Sequence, residues 1–393
     1  MDTTVEGQSR SEAPVRSVSP ILSLQNGRRF RLLDAIRGIS ALAVVSYHSL
    51  PNQTPTREFV AANPTLASLQ EWIFYVLTCG YLGVPVFFLI SGYCICAAAT
   101  AHVEKGYSPS RFFKRRIIRI YSPYWICFAL CVGLSFVPGT NLHPSSLTVT
   151  QWLGNIFLFE NYRPWLLPPS AINLLLEVSW TLCYEEQFYM VTGLILWFAP
   201  RALFPIFGTL TVFVLLNNYN LNIGPLKQLG DLNSFQFSVD GLLIDPFWLF
   251  FAAGIGLFCF RTSTSRLRFL FPLLLSLLIF WEVRQLDWYT NRFASRVTTF
   301  SVALVLCGVE RWDSKISSLD IFKPFFWLGT RSYSIYLIHL PFVRLINSLE
   351  TTLGFDSIGE SLAVTLPVSV LIALCAGHWF YRFVERHWIP GSN

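Results

Sequence analysis

Between Trp72 and Ala101, and again between Ile120 and Phe159, the chain carries no Asp, Glu, Lys or Arg. A third uncharged run extends from Ser361 to Tyr381, long enough as a helix to cross the ~30 Å hydrocarbon layer of a bilayer. Runs of this kind leave few choices. An ordinary soluble domain has about 25% charged residues, whereas this chain of 393 residues has 13%, with 53% hydrophobic and 16% aromatic. A soluble protein of that size must coat its exterior with polar groups, and it could not do so with this composition. So low a charge also excludes a disordered chain. The bilayer is its natural solvent and its first partner.

In lipid every backbone N–H and C=O must be satisfied internally, so only helices and closed barrels can span. No alternating barrel pattern appears. The expected fold is therefore all-α, a polytopic transmembrane bundle of about ten helices. The apolar segments fall at roughly 34–50, 72–98, 117–137, 179–199, 203–219, 243–260, 268–284, 296–309, 326–349 and 359–382. The short pair 268–284 and 296–309 could instead form one re-entrant unit. Residues 1–29 contain Ser, Pro and Arg without a sustained apolar run, so they read as a flexible cytoplasmic tail and not a signal peptide. The transmembrane domain is expected over 30–388 and a short C-terminal tail over 389–393. The long segment 138–178, with Pro164, Pro168, Pro169 and Trp165, reads as a partly ordered cap on the outer surface.

Of the 29 Lys and Arg residues, twenty fall in segments that share one side if the N-terminus is inside, and six fall on the other. The positive-inside rule then places both termini in the cytoplasm. The segment 285–296 is more basic than an outer loop should be. The formal charge of +6 is accounted for by this anchoring, and no aromatic-basic interleaving suggests a nucleic-acid partner. The nine cysteines lie in or beside apolar runs, with no CxxC pair and no zinc spacing with His. Neither a metal nor a disulfide framework is expected.

Ionisable side chains at membrane depth are costly, which makes each a functional candidate. Arg37 and His48 stand eleven residues apart on the first segment. Eleven steps of ~100° return to within ~20° of one face, with a rise of ~16 Å. One helix face thus offers a cation toward the cytoplasm and a titratable base toward the outside. The plain alternative is that Arg37 snorkels and His48 caps a helix end. Arg115, Arg116 and Arg119 cluster on one turn, and guanidinium forks suit phosphate and pyrophosphate. Anchoring by positive charge explains the outermost of them equally well, and Arg119, one turn deeper, less well. Glu185 and Glu186 point ~100° apart and cannot share one role. Glu185, expected near the outer surface, could orient or polarise an imidazole, or both carboxylates could complement a helix N-terminus. His339 reads as a structural histidine hydrogen-bonded between helices. His378 and Glu385-Arg386-His387 read as interfacial anchors.

Five segments in this order resemble the acyltransferase-3 family of integral membrane O-acyltransferases. Leu33-Asp34-Ala35-Ile36-Arg37-Gly38 followed by His48 is similar to the basic-residue–ten–His motif of its first helix. Gly83 to Tyr93, with Phe87-Phe88 and Ser91-Gly92, is similar to its second-helix motif, and Arg116-x-x-Arg119 to its third-helix arginine pair. Ser179-Trp180-Thr181-Leu182 with Glu185-Glu186-Gln187-Phe188-Tyr189, and Leu328-Gly329 through Tyr336-Leu337-Ile338-His339, are similar to its later signatures. Pro85 departs from a position that is usually acidic, and Thr181 from one that is commonly Ser.

The resemblance implies transfer of an acyl group, with acetyl the expected one, from cytoplasmic acyl-CoA to a hydroxyl of an extracytoplasmic carbohydrate or glycolipid acceptor. Acyl-CoA is then a donor substrate and not a resident cofactor. It implies that His48 is essential and that the arginines matter; with the spacing above, the expected site has His48 as general base, Glu185 holding or polarising its imidazole, and Arg37, Arg116 and Arg119 on the CoA phosphates. Direct transfer and an acyl-histidine intermediate both remain open. A bacterial plasma membrane is the family's usual setting. The rival expectation is a transporter or flippase that uses the same Arg, His and Glu as a proton or substrate path, although no repeated halves are visible.

Overall fold

The computed structural model describes residues 30–50, 59–60, 62–63, 65–137, 144–218, 245–284, 291–354 and 357–388. The tails expected at 1–29 and 389–393 lie outside these residues, as do 138–143 and 285–290 of two expected outer loops. Every regular element among the described residues is helical. The principal helices are α1 (Arg31–His48), α2 (Leu69–Thr78), α3 (Gly83–Glu104), α4 (Pro109–Leu134), α5 (Val149–Ile156) and α6 (Ser179–Phe198). They are followed by α7 (Leu203–Asn218), α8 (Trp248–Thr262), α9 (Leu270–Arg284), α10 (Asn291–Val309), α11 (Lys323–Leu353) and α12 (Leu366–Phe380).

Four continuous helical stretches among the described residues are long and apolar enough to cross a membrane: Leu69–Glu104, Pro109–Leu134, Arg292–Ile316 and Ile358–Trp388. The chain is an integral membrane protein. In the first stretch a 3-10 turn, Cys79–Leu82, joins α2 to α3. Pro85 lies in the first turn of α3, just past that turn, where a missing backbone N–H disturbs the helical ladder least. Pro109 opens α4 at a position where its fixed φ suits a helix start.

Two helix crossings set the frame of the site, and glycine permits both. A Cβ on Gly38 of α1 would lie 2.3 Å from the Phe325 carbonyl oxygen, and one on Gly329 of α11 would lie 1.8 Å from that of Asp34. The backbones of α1 and α11 therefore touch, as small residues allow between helices in lipid. The same device joins α3 to α8, where Gly92 meets the Phe251 carbonyl and Gly254 that of Leu89. The start of α1 is held from far along the chain. Phe30 precedes it and offers no side-chain cap; the Asp313 carboxylate instead accepts from the Leu32 N–H at 2.9 Å and the Arg31 N–H at 3.3 Å. A carboxylate at a helix N-terminus satisfies orphan donors and complements the dipole.

The short segments 268–284 and 296–309 form two helices, α9 and α10, packed against each other. Arg296 sits 2.9 Å from Glu282 of α9, and both side chains are largely buried. Part of the unexpected basic charge of the 285–296 segment is thus paired between these two helices.

The segment expected as a partly ordered outer cap is, over 144–178, a fixed lobe. At its centre Glu160 and Arg163 form an ion pair of 2.7 Å with both side chains fully buried. Thr148 and Gln151 close a capping box at the start of α5. The lobe folds back along α4: the Tyr124 hydroxyl and the Trp125 indole N–H donate to the carbonyls of Asn155 and Ile156 at 2.6 and 2.9 Å, and the Tyr121 hydroxyl lies 3.1 Å from the Phe157 carbonyl. Tyr121 lies thirteen residues before the end of α4, about 20 Å along a helix at ~1.5 Å per residue. This return brings the start of α6 well inside the bundle.

Candidate active site

Helices α1, α3, α4, α6 and α11, with the π-helical turn Tyr381–Glu385, enclose a cavity of about 740 Å³. Four cations line it: Arg37 from α1, and Arg115, Arg116 and Arg119 from one turn of α4. Arg37 lies 3.8 Å from Asp34 and 3.4 Å from the Cys94 sulfur. Arg116 is stacked over the rings of Phe112 and Tyr189, at 5.5 and 5.2 Å from the centroids, a contact that holds a planar guanidinium without consuming its donors. Arg119 makes no hydrogen bond or ion pair with another described residue. The cavity is therefore a concave site with unused guanidinium donors, the chemistry that receives phosphate or carboxylate groups.

Glu185 also lines this cavity, and its place corrects the sequence reading. It was expected near the outer surface, polarising His48. Its Oε1 instead accepts from the Ser91 hydroxyl at 2.9 Å and from the Tyr189 hydroxyl one turn along α6. The physical reason is the inward return of the 144–178 lobe, which starts α6 deep enough that Glu185 reaches the arginines of α4. Glu186 points away as helical spacing requires, and its carboxylate accepts from the Tyr121 hydroxyl. A third carboxylate comes from Glu385, whose sequence context reads as interfacial. Its Oε2 takes the Ser334 N–H at 3.2 Å and the Ser334 hydroxyl, and it is buried in the cavity wall. His378, read with it as an anchor, receives the Arg331 Nε–H on Nδ1 at 3.1 Å.

At the other end of α1, His48 faces His339 of α11, ring centroids 5.3 Å apart. Neither histidine lines the cavity. His339 is fully buried, and its Nδ1 lies 2.8 Å from the Tyr336 carbonyl on its own helix. A carbonyl only accepts, so Nδ1 carries the proton and Nε2 of the neutral ring is bare. His339 Nε2 and His48 Nδ1 are both buried without a hydrogen-bond partner among the described residues. A bonded structural role between helices does not describe His339; its helix-internal bond leaves the other nitrogen free. Asn347, on the same helix, donates to the His48 carbonyl at 3.3 Å. Glu177, just before α6, pairs with Arg344, five residues past His339.

The sequence thus pointed to Arg37, Arg116, Arg119 and Glu185, which the fold gathers in one cavity, and to His48, which it sets apart. It missed Ser91, Glu385 and the pairing of His339 with His48. The signal for His339 was present, an imidazole in an apolar helix; what was absent was any indication of which helix it faced.

A family model described as an acyltransferase domain matches residues 30–382. The O-acetyltransferase OatA of Staphylococcus aureus is 22% identical over 374 residues, which cover 90% of this chain and 56% of the relative. The peptidoglycan O-acetyltransferase OatA of Listeria monocytogenes is 24% identical over 349 residues, 80% of this chain and 49% of the relative. The chain spans about half the length of these relatives. No solved structure matches it significantly. With the match running through both the arginine cavity and the histidine pair, the chain belongs to the acyltransferase-3 family of membrane proteins.

Proposed function

We propose that this protein moves an acetyl group from acetyl-CoA to a hydroxyl of a carbohydrate outside the plasma membrane, a cell-wall glycan being the acceptor that the relatives' names suggest. The observation that carries the reading is the pairing of two unlike sites along α1. A cavity with uncommitted guanidinium groups lies at one end, and two imidazoles with unused nitrogens lie at the other. Arg37, Arg116 and Arg119 bind the phosphates of the donor from the cytoplasmic side. Glu185 fixes Tyr189, and through it the wall on which Arg116 is stacked. This arrangement has both termini in the cytoplasm, as the distribution of Lys and Arg suggests.

His48 acts as general base. The acceptor oxygen attacks the thioester carbonyl, a C–O bond forms and the C–S bond breaks. The hydroxyl proton passes to the imidazole and then to the departing thiolate, so that the products are the ester and free CoA. His339, with its bare Nε2, is the neighbouring group able to share that proton. A positioned base of this kind is worth about 10²–10⁴-fold. His48→Ala is therefore expected to reduce transfer of labelled acetyl from acetyl-CoA, in membranes containing wild-type amounts of protein, at least ~100-fold. Retained transfer at equal protein level would falsify the role. The transport reading is set aside because the family is one of acyltransferases; a labelled product on the glycan is the outcome that a transporter does not give.

A further inference from the structure

One ring touches both the arginine cavity and the histidines. Tyr336 lines the cavity, yet its ring lies 5.9 Å from that of His339 and its carbonyl accepts the His339 Nδ1–H. Phe87, another lining residue, meets the same ring edge-on at 5.5 Å. The Tyr336 hydroxyl lies 2.9 Å from the Thr181 hydroxyl. Both hydroxyls also reach the Val178 carbonyl, Thr181 at 2.9 Å and Tyr336 at 3.4 Å, so either one can donate to the other while its partner donates to that carbonyl. The link joins α11 to the first turn of α6 in the cavity wall. Both side chains are buried.

We propose that Tyr336, latched by Thr181 and backed by Phe87, is the gate between the donor cavity and the imidazole pair, and that its bulk sets the longest acyl group that can be transferred. The inference rests on the donor reading above. In that reading the cavity end holds the acyl group and the arginines hold the phosphates, so the gate acts on passage and not on affinity. A rigid apolar wall discriminates by about 10–200-fold per methylene. Removing the ring removes that discrimination; removing only the hydroxyl leaves the wall but frees it to swing. An unlatched gate admits water to the thioester, which then yields free acid and free thiol in place of the ester.

The test compares acetyl-CoA, propionyl-CoA and butyryl-CoA as labelled donors in membranes carrying the full chain. For Tyr336→Ala the ratio of butyryl to acetyl transfer is expected to rise at least ~10-fold, through turnover, with KM for the donor changed less than ~2-fold because no phosphate contact is lost. For Tyr336→Phe and Thr181→Val the acyl preference stays close to wild type, and hydrolysis without acceptor rises several-fold, on the order of the ~1 kcal/mol of a lost hydrogen bond. A Tyr336→Ala protein that accumulates normally and keeps the wild-type acyl profile overturns the gate. If that variant does not accumulate, unchanged hydrolysis in both latch variants overturns it instead. A wild-type protein that transfers no label from any acyl-CoA sinks the donor reading itself, which is a different failure from an active wild type with an unmoved profile.

Discussion

Two regions of this protein are organised around arginine, one buried and one opening into a cavity, and they use it in opposite ways. In the 144–178 lobe, all five N–H groups of Arg163 have partners: Nε and one Nη2 hydrogen go to Glu160, and the others to the carbonyls of Leu167, Pro169 and Ala171. Nothing remains for a ligand, and the Glu160 carboxylate also takes the Asn173 N–H at 3.0 Å. In the cavity, Arg119 has no such partner among the described residues, and Arg116 is held only by aromatic faces. Removing a buried charge from water costs several kcal/mol and is repaid only when its hydrogen-bonding capacity is filled. Arg163 is filled by its own chain and is architecture. Arg119 stands exposed in the cavity near Glu185 and Glu385, and its unused donors are open to an anion.

The contrast can be broken most severely in the lobe. Arg163→Met leaves the Glu160 carboxylate buried and unpaired, a change worth about 3–5 kcal/mol. The detergent-solubilised protein should melt well below wild type or fail to accumulate, and Glu160→Gln in the same chain should recover part of the loss. A wild-type melting curve for Arg163→Met would mean that the lobe stands without its ion pair. Next in size, Arg119→Ala should leave the melting curve near wild type, because the exposed guanidinium has no hydrogen bond or ion pair to lose. It should raise KM for acetyl-CoA by roughly 10–100-fold, the loss of one charged hydrogen bond at about 1.5–3 kcal/mol. Acetyl-pantetheine, which lacks the nucleotide phosphates, should be used equally by variant and wild type; a loss shared by both donors would remove Arg119 from phosphate binding. The smallest effect belongs to Arg116→Lys, which keeps charge but loses the planar stack on Tyr189 and Phe112. A rise in donor KM of only about 2- to 5-fold is expected, corresponding to the ~0.5–1 kcal/mol of such a contact, and a loss as large as that of Arg119→Ala would show that the stack, not the charge, orders the site.

Local periodicity made much of the arrangement readable. The placement of Arg115, Arg116 and Arg119 on one turn, and the divergence of Glu185 from Glu186, follow from ~100° per residue and hold in the structure. The depth of Glu185 did not follow. It depends on how far the preceding lobe returns along α4, which is decided by hydrogen bonds from Tyr124 and Trp125 to backbone carbonyls more than thirty residues away. Glu385 was misread for a similar reason: a carboxylate between Arg386 and apolar residues looks interfacial until Ser334 is brought against it.

What the chain determined by itself is its solvent and its menu of reactive groups. Uncharged stretches of membrane length force helices, because an unpaired peptide group in hydrocarbon costs too much, and the polar residues those helices still carry have to serve some purpose. The tertiary structure alone decided which groups meet. Asp313 reaches the start of α1, His339 turns toward His48, and Tyr336 touches both the cavity and His339, on helices that Gly38 and Gly329 let approach to backbone contact. Such an encounter depends on the crossing of helices distant in sequence, where a single Cβ is enough to push the partners apart, and no spacing along one helix encodes it.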